Sequence, residues 1–172
     1  MKIFCSLFLT AIISLANGQP KFPLKISDNK RYFVDQTGRP FLYHADTGWQ
    51  LFVRLTKAEA LEYLIKRKSQ GFNTIQVQIA MEPGLTNRYG HKPFDGDVDF
   101  SKPNEAFHDY AATVIAMADS LGLLVVLTQP WLGCCNEAFG NSPEKPIQKN
   151  GPTKNRSYGQ YLGRKFAKFK NL

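Results

Sequence analysis

The chain has 172 residues, of which 43% are hydrophobic and 21% are charged, and its formal net charge is +8. A chain of this length is enough for one domain with a sizeable core. Of the three cysteines, Cys134 and Cys135 are adjacent, too close for an ordinary disulfide, so a disulfide scaffold is excluded.

Residues 1–18 have the pattern of a secretory signal peptide. Lys2 precedes an apolar run, and Ala16-Asn17-Gly18 supplies the small residues that signal peptidase prefers. The run is shorter than the roughly 20 residues of a membrane span, so a membrane anchor is the weaker interpretation. We expect cleavage before Gln19, which removes 18 of the 172 residues and leaves 154. The expected location is secreted or periplasmic, without stable membrane insertion after cleavage.

Residues 19–40 predict a β-hairpin and a turn. Two short β-prone segments, 24–28 and 31–35, are separated by Asn29 and Lys30, and 36–40 reads Gln-Thr-Gly-Arg-Pro. The main fold then begins with a predicted strand over 41–45. Thr56 and Glu59 form a capping box, and an apolar stripe at helical spacing extends that helix to about Gly71.

The rest of the chain alternates strands and helices. Strands are predicted over 73–81 and 123–128, a helix over 105–121, and a third amphipathic helix from Tyr158 to Phe169. Each of these two strands is followed by a long loop, and loops of that length are usually functional. The order β-α-β-α-β-α predicts an α/β fold with a parallel sheet, either a small doubly wound sheet or the first three units of a (β/α)8 barrel.

Two candidate ligand-binding side chains follow the first predicted strand. A carboxylate such as Asp46 accepts hydrogen bonds from sugar hydroxyls, although it also suits a turn cap. The indole of Trp49 offers a flat apolar face for a sugar ring, although packing in the core is an equal alternative. Nothing in the sequence pairs Asp46 with Glu82 as a catalytic carboxylate pair of the kind that glycosidases need.

The two long loops contain further candidates. Tyr89 and His91 lie in the first, and Trp131 lies at the start of the second. Aromatic and imidazole groups bind polar ligands, but surface loops also collect such residues without a function. Asp95, Asp97 and Asp99 alternate as in a calcium loop, yet the glycine and final glutamate of that motif are missing. The sequence therefore predicts no metal site and no cofactor.

Four segments carry a resemblance to a known family. These are GRPFLYHADTGWQLFVRLTKAEALEYLIKRKSQGFNTIQVQ, NRYGHKPF, KPNEAFHDY and YGQYLGRKFAKFKNL. In type and order they resemble the apiosidase-like glycoside hydrolases. The resemblance implies a secreted (β/α)8 (TIM) barrel that acts on plant cell-wall polysaccharide, including pectin side chains, with residues 41–172 forming the N-terminal part of the barrel. It also implies that Asp46, Trp49, Tyr89, His91 and Trp131 lie on the ligand face.

In members of the family, the helix that matches Tyr158 to Phe169 leads into a fourth strand ending in Gly-Gly-Asp, whose Asp is one catalytic carboxylate. This sequence stops at Leu172. We therefore expect an incomplete barrel that is inactive by itself, with the catalytic residues unknown and located beyond Leu172.

A non-catalytic carbohydrate-binding module is the alternative. It would hold acidic polysaccharide with its two tryptophans and the eight Lys or Arg residues of 145–172, a segment without acidic residues. The ordinary interpretation of those charges is a solvated helix face. The expected partner is an oligo- or polysaccharide and not a nucleic acid, since secretion argues against the latter.

Overall fold

The computed structural model describes residues 18–80, 84–96, 98–128 and 146–172. The described chain is a mixed α/β fold with two small sheets. In chain order its elements are β1 Lys25–Ile26, β2 Phe33–Val34, β3 Pro40–Phe41, β4 Ala45–Thr47, α1 Leu51–Arg54, α2 Lys57–Ser69, β5 Thr74–Gln78, α3 Glu105–Ser120, β6 Leu124–Thr128 and α4 Pro146–Phe166.

The first sheet is antiparallel and has the order β1-β2-β3. The turn between β2 and β3 is organised by the buried carboxylate of Asp35. It accepts hydrogen bonds from the backbone N–H groups of Lys21, Thr37 and Arg39 and forms an ion pair with the Arg39 guanidinium at 2.8 Å. Hydrogen bonding by Thr37, followed by that of Arg39, holds the pKa of Asp35 well below its ordinary value despite burial.

The second sheet is parallel, with β5 between β4 and β6. Asp46 lies opposite Ile75 in β5, and Ile75 lies opposite Val125 in β6. The helix α2 connects β4 to β5, and α3 connects β5 to β6. Parallel neighbours require such crossover connections, so this part of the prediction from the alternating elements is confirmed.

Helix starts follow the predicted caps. The Thr56 side chain accepts a hydrogen bond from the Glu59 N–H, and the Glu59 carboxylate accepts one from the Thr56 N–H at 2.7 Å. Asn104 caps α3 by accepting from the Phe107 N–H at 3.1 Å. These bonds satisfy backbone donors that the first helical turn leaves unpaired.

Two boundary predictions were wrong. The third helix, predicted from Tyr158 to Phe169, spans Pro146–Phe166. The strand predicted over 41–45 is divided between the two sheets: Phe41 ends β3, and Ala45 begins β4. Between them Leu42 is 82% exposed, so the apolar run is not one buried strand. The Asn73 side chain bridges this connection by accepting from the His44 N–H at 3.0 Å and donating to the Leu42 carbonyl.

The helix α4 packs on α3 through a buried aromatic cluster. The Tyr158 hydroxyl donates to Nε2 of His108 at 3.0 Å, and Nδ1 of His108 lies 2.7 Å from the Asn104 carbonyl. Phe94 contacts Tyr158 edge to face, with ring centroids 4.8 Å apart. At Gly151 the helix is interrupted, because its φ of 64° is not helical.

Candidate functional site

The parallel sheet has two chemically different faces. Ile75, Val77 and Val125 lie against the helices, where they line a small apolar cavity with side chains of α1, α2 and α3. Because successive side chains of a strand point to opposite faces, Gln76 and Gln78 lie on the other face. The helix-packed face is therefore apolar, whereas the opposite face carries amide groups.

Four side chains form a polar band on that opposite face, which we call the polar face: Thr47, Gln76, Gln78 and Thr128. Thr47 is in register with Gln76, and Gln78 is in register with Thr128. Hydroxyl and amide groups donate and accept hydrogen bonds, which is the chemistry that binds sugar hydroxyls. Sequence reasoning missed this band, although the alternation Ile-Gln-Val-Gln in β5 is its signal.

Gln78 is the most informative member of the polar face. Gln78 is only 6% exposed, yet its Oε1 accepts no hydrogen bond from the described part of the chain. A buried acceptor without a donor costs about 1–3 kcal/mol and is uncommon in native proteins. Gln78 is the last residue of β5, and ligands of parallel α/β folds bind at the carboxyl ends of strands.

Asp46 lies on the helix-packed face, because it is in register with Ile75. Its Oδ2 accepts a hydrogen bond from the Tyr63 hydroxyl at 2.7 Å and is ion-paired with Arg67. Burial disfavours the Asp46 carboxylate, but the bonds from Tyr63 and Arg67 outweigh burial, so the pKa of Asp46 is lowered. Burial and the Asp46 bond together raise the pKa of Tyr63 to about 12.

This arrangement corrects the predicted position of Asp46. The sequence analysis placed it just beyond a strand ending at residue 45, whereas it lies inside β4. The register of β4 then directs its side chain toward α2. Asp46 therefore joins β4 to α2, and its contact with a sugar stays a prediction.

Trp49 lies two residues after Thr47, the last residue of β4, and is partly buried. The turn before it depends on Gly48, whose N–H donates to the Gln76 carbonyl at 2.9 Å. A Cβ at Gly48 would lie 3.0 Å from the Tyr63 hydroxyl oxygen, so only glycine fits without a shift. The turn thus places Trp49 at the same end of the sheet as Gln78, and its stacking on a sugar stays a prediction.

Asn87 organises the loop that carries Tyr89 and His91. Its buried side-chain oxygen accepts from the Tyr89 N–H at 2.9 Å and from the His91 N–H at 3.0 Å, and Gly90 between them has φ 84°. Sequence reasoning missed Asn87, because an asparagine in a polar loop gives no sign of burial.

Tyr89 and His91 are brought together in a cleft that we call the Tyr89 cleft. Its volume is about 270 Å³, and Lys57, Asp109 and Tyr110 also line it. The Tyr89 hydroxyl accepts from the Lys57 N–H at 2.8 Å, and the Tyr89 and Tyr110 ring centroids are 5.1 Å apart. This cleft lies between the start of α2 and the first half of α3 and shares no lining residue with the polar face.

The remaining candidates lie outside the described residues, namely Trp131, Glu82, Asp97, Cys134 and Cys135. In the described strands of the parallel sheet, no carboxylate lies on the side of the sheet that carries the polar face. The strand residues on that side are Ala45, Thr47, Thr74, Gln76, Gln78, Leu124, Val126 and Thr128. This side of the described sheet therefore offers amide and hydroxyl groups for hydrogen bonding and no carboxylate.

Comparison with known proteins gives a family and a fold. A family model described as the catalytic domain of apiosidase-like proteins matches residues 27–172. No curated protein matches this sequence. A solved structure described as a glycoside hydrolase is 26% identical with a TM-score of 0.71, and the match covers 89% of this chain and 33% of that one.

Two further solved structures share the fold. A family 5 glycoside hydrolase from Bacteroides vulgatus is 24% identical with a TM-score of 0.71, covering 86% of this chain and 31% of that one. A hyperthermostable endocellulase is 17% identical with a TM-score of 0.52, covering 89% and 42% respectively. The chain thus spans about a third of the length of the first two structures it resembles.

Proposed function

The chain belongs to the apiosidase-like catalytic-domain family, and from this membership we propose that it is the N-terminal part of a secreted glycoside hydrolase acting on plant cell-wall polysaccharide. In this proposal the parallel sheet forms the first three βα units of a (β/α)8 barrel. The polar face then lines the barrel interior, and the carboxyl ends of its strands form one wall of the sugar site.

The observation that carries the proposal is the buried amide oxygen of Gln78 at the carboxyl end of β5, which has no hydrogen-bond partner among the described residues. A sugar hydroxyl is a donor of the kind that this oxygen lacks. Trp49 follows the neighbouring strand and supplies an indole face for the apolar side of a sugar ring. Trp131, which follows β6, is proposed as a second such face.

Hydrolysis needs an acid and a base or nucleophile, roughly 5 to 10 Å apart across the glycosidic bond. Asp46 is not proposed for either role, because Tyr63 and Arg67 hold its Oδ2 on the helix-packed face. We therefore propose that the catalytic pair comes from polypeptide beyond these 172 residues and that this chain binds its ligand without cleaving it.

Secretion is part of the same proposal and rests on residues 1–18. No helix within the described ranges has the length and apolarity needed to cross a bilayer. Amino-terminal sequencing of the exported protein checks the point directly. A mature chain that begins at Gln19 supports secretion by signal cleavage, and retention of Lys2 contradicts it.

The binding test mixes the 172-residue chain with oligosaccharides released from pectin. Isothermal titration calorimetry measures binding, and a reducing-sugar assay measures sugar release. We expect binding without sugar release. Gln78→Ala and Trp49→Ala should each weaken binding by about tenfold, because each variant loses roughly one neutral hydrogen bond or one ring contact. Gln160→Ala, an exposed glutamine of α4, is the matched control and should bind like the parent.

A non-catalytic carbohydrate-binding module is the second candidate, favoured by the absence of carboxylates on the described polar face. Both candidates predict binding, so the discriminating observation is the gene beyond the codon for Leu172. A further strand ending in a carboxylate, in a longer product that releases sugar from pectin, supports the hydrolase. A stable 172-residue product that only binds supports the module.

A further inference from the structure

The Tyr89 cleft has the size and the side chains of a second ligand site, apart from the polar face. Its walls are the start of α2 and the first half of α3, and its volume is about 270 Å³. Pockets that hold drug-sized ligands begin at about 300 Å³. The cleft is therefore large enough for one sugar ring and too small for several.

Tyr89 provides an aromatic platform whose position is fixed within the chain itself. Its ring lies on that of Tyr110, with centroids 5.1 Å apart, and Tyr89 nevertheless remains 46% exposed. Backbone bonds close the loop that carries it: the Asn87 N–H donates to the His91 carbonyl at 2.8 Å, and the Gly90 N–H donates to the Asn87 carbonyl at 3.1 Å. Because the loop is already ordered, a ligand that binds on the ring loses little affinity to ordering the protein.

The Tyr89 hydroxyl is oriented to donate a hydrogen bond. Its oxygen accepts from the Lys57 N–H at 2.8 Å, so its own proton is directed away from that amide. A phenol both accepts and donates, and no residue in the described ranges accepts this proton. The hydroxyl is therefore available as a donor to an oxygen atom of a ligand.

The two walls of the cleft differ in charge. On the α2 wall Lys57 is exposed, and its ammonium group has no ion-pair partner in the part of the chain that the structure describes. On the α3 wall Oδ1 of Asp109 is ion-paired at 2.7 Å with Lys165, which also contacts Glu105. This pairing weakens the repulsion that Asp109 exerts on an anion, while the carboxylate keeps free positions for accepting hydroxyl groups.

We propose that the Tyr89 cleft binds one hexuronate unit, with its carboxylate at Lys57, the apolar side of its ring on Tyr89 and hydroxyl groups toward Asp109. A neutral sugar would leave the Lys57 ammonium without a partner. A small inorganic anion would make no use of the aromatic ring. The site lies outside the polar face, so the proposal goes beyond the proposed function and stands whether or not Gln78 binds a sugar.

The test compares two probes that differ only in charge, trigalacturonate and its methyl ester. Each is titrated at pH 7 into the ¹⁵N-labelled 172-residue chain, and amide shifts give both the affinity and the position of binding. Lys57→Gln removes the charge, and Lys57→Arg restores it. Lys66→Gln is the matched control, because Lys66 is an exposed lysine of the same helix that does not line the cleft.

The parent should bind the acid about fivefold more tightly than the ester, as expected for an ion pair at a partly exposed site. The amides of Lys57 and Tyr89 should shift together. Lys57→Gln should abolish the preference for the acid, whereas Lys57→Arg and Lys66→Gln should keep it. Tyr89→Ala should weaken the binding of both probes by about fivefold, because it removes the ring contact. Circular dichroism checks the fold of each variant, and the exposed Lys57 position decides the result if Tyr89→Ala is unfolded.

Equal affinity of the parent for the acid and the ester would overturn the proposal. So would an equal loss in Lys57→Gln and Lys66→Gln, which would show general attraction to a chain of net charge +8. Displacement of trigalacturonate by inorganic phosphate at equal ionic strength would show an anion site without a role for the ring, and would also overturn it. Loss of the acid preference in Gln78→Ala would assign the probe to the polar face, whereas an unchanged Lys57 titration in that variant supports a separate site.

Discussion

The hydrogen bond between Tyr158 and His108 provides a direct test of how α4 is held on α3. Tyr158 is 1% exposed and His108 is fully buried, so water does not replace a lost bond. The Nδ1 contact with the Asn104 carbonyl requires a proton on Nδ1, which leaves Nε2 as the acceptor from the tyrosine hydroxyl. Tyr158→Phe removes that donor and keeps the ring.

The expected cost follows from this environment. The ring of the phenylalanine would keep the contact with Phe94 at 4.8 Å, so little apolar burial is lost. Nε2 of His108 would remain unpaired among aromatic rings, including Tyr161 at a centroid distance of 5.0 Å. An unsatisfied buried acceptor costs about 1–3 kcal/mol, so we expect the free energy of unfolding to fall by about 2 kcal/mol. For a domain of this size that lowers the melting temperature by about 4–8 °C.

The measurement is urea unfolding followed by circular dichroism and tryptophan fluorescence. Tyr32→Phe is the matched control, because Tyr32 is 47% exposed. A double variant with His108→Phe should cost less than the sum of the single variants, since it removes both partners. A change below about 0.5 kcal/mol for Tyr158→Phe would show that the bond does not hold the two helices together.

Three further predictions concern protonation and close packing. Burial lowers the pKa of His108 below its ordinary 6.5, so stability is fully present above pH 6.5 and is lost as pH falls toward the folded-state pKa; His108→Phe should flatten that limb in unfolding midpoints measured from pH 7.5 to 4.5. The pKa of Asp46 is lowered from 3.8, so its contribution is present above that value and lost on further acidification; Asp46→Asn should destabilise the chain at pH 7 and show a weaker loss below pH 4. Gly48→Ala should cost about 1–3 kcal/mol in urea unfolding, because its Cβ lies 3.0 Å from the Tyr63 hydroxyl, whereas exposed Gly84→Ala should not.

Local signals predicted α2, α3 and the two longer strands well. The Thr56 capping box and the Asn104 cap each join residues three positions apart in the sequence, and both are observed. The short helix α1 was missed, because Gln50 provides no side-chain cap and four residues give no periodic pattern. The sequence therefore predicts a helix only where a side-chain cap or an apolar periodicity marks it.

The error at residues 41–45 has a non-local cause. Phe41, Leu42 and Tyr43 are equally apolar, so the sequence gives no reason to end one strand and begin another. The division arises from partners elsewhere in the chain, since Phe41 pairs with Phe33 in one sheet and Ala45 pairs with Thr74 in the other. Asn73 then holds the connection in place from 29 residues away. Such partners become visible only when the register is known.

The face of the sheet on which a strand residue lies determines whether that residue can reach a ligand. We call this assignment of alternate residues to the two faces the phase of the strand. Among the described strands of the parallel sheet, only β5 reveals its phase in the sequence. In β6 the run Leu-Val-Val-Leu is apolar on both faces and gives no phase. In β5 isoleucine and valine alternate with Gln76 and Gln78, so the apolar partners identify the helix side and the glutamines identify the other. Register then transfers this phase to the neighbouring strand, where Asp46 lies opposite Ile75 and so faces α2. A carboxylate near the end of a strand is therefore a weaker sign of a ligand site than two glutamines that alternate with apolar residues. Gln78 is the residue at which the test for a ligand should begin.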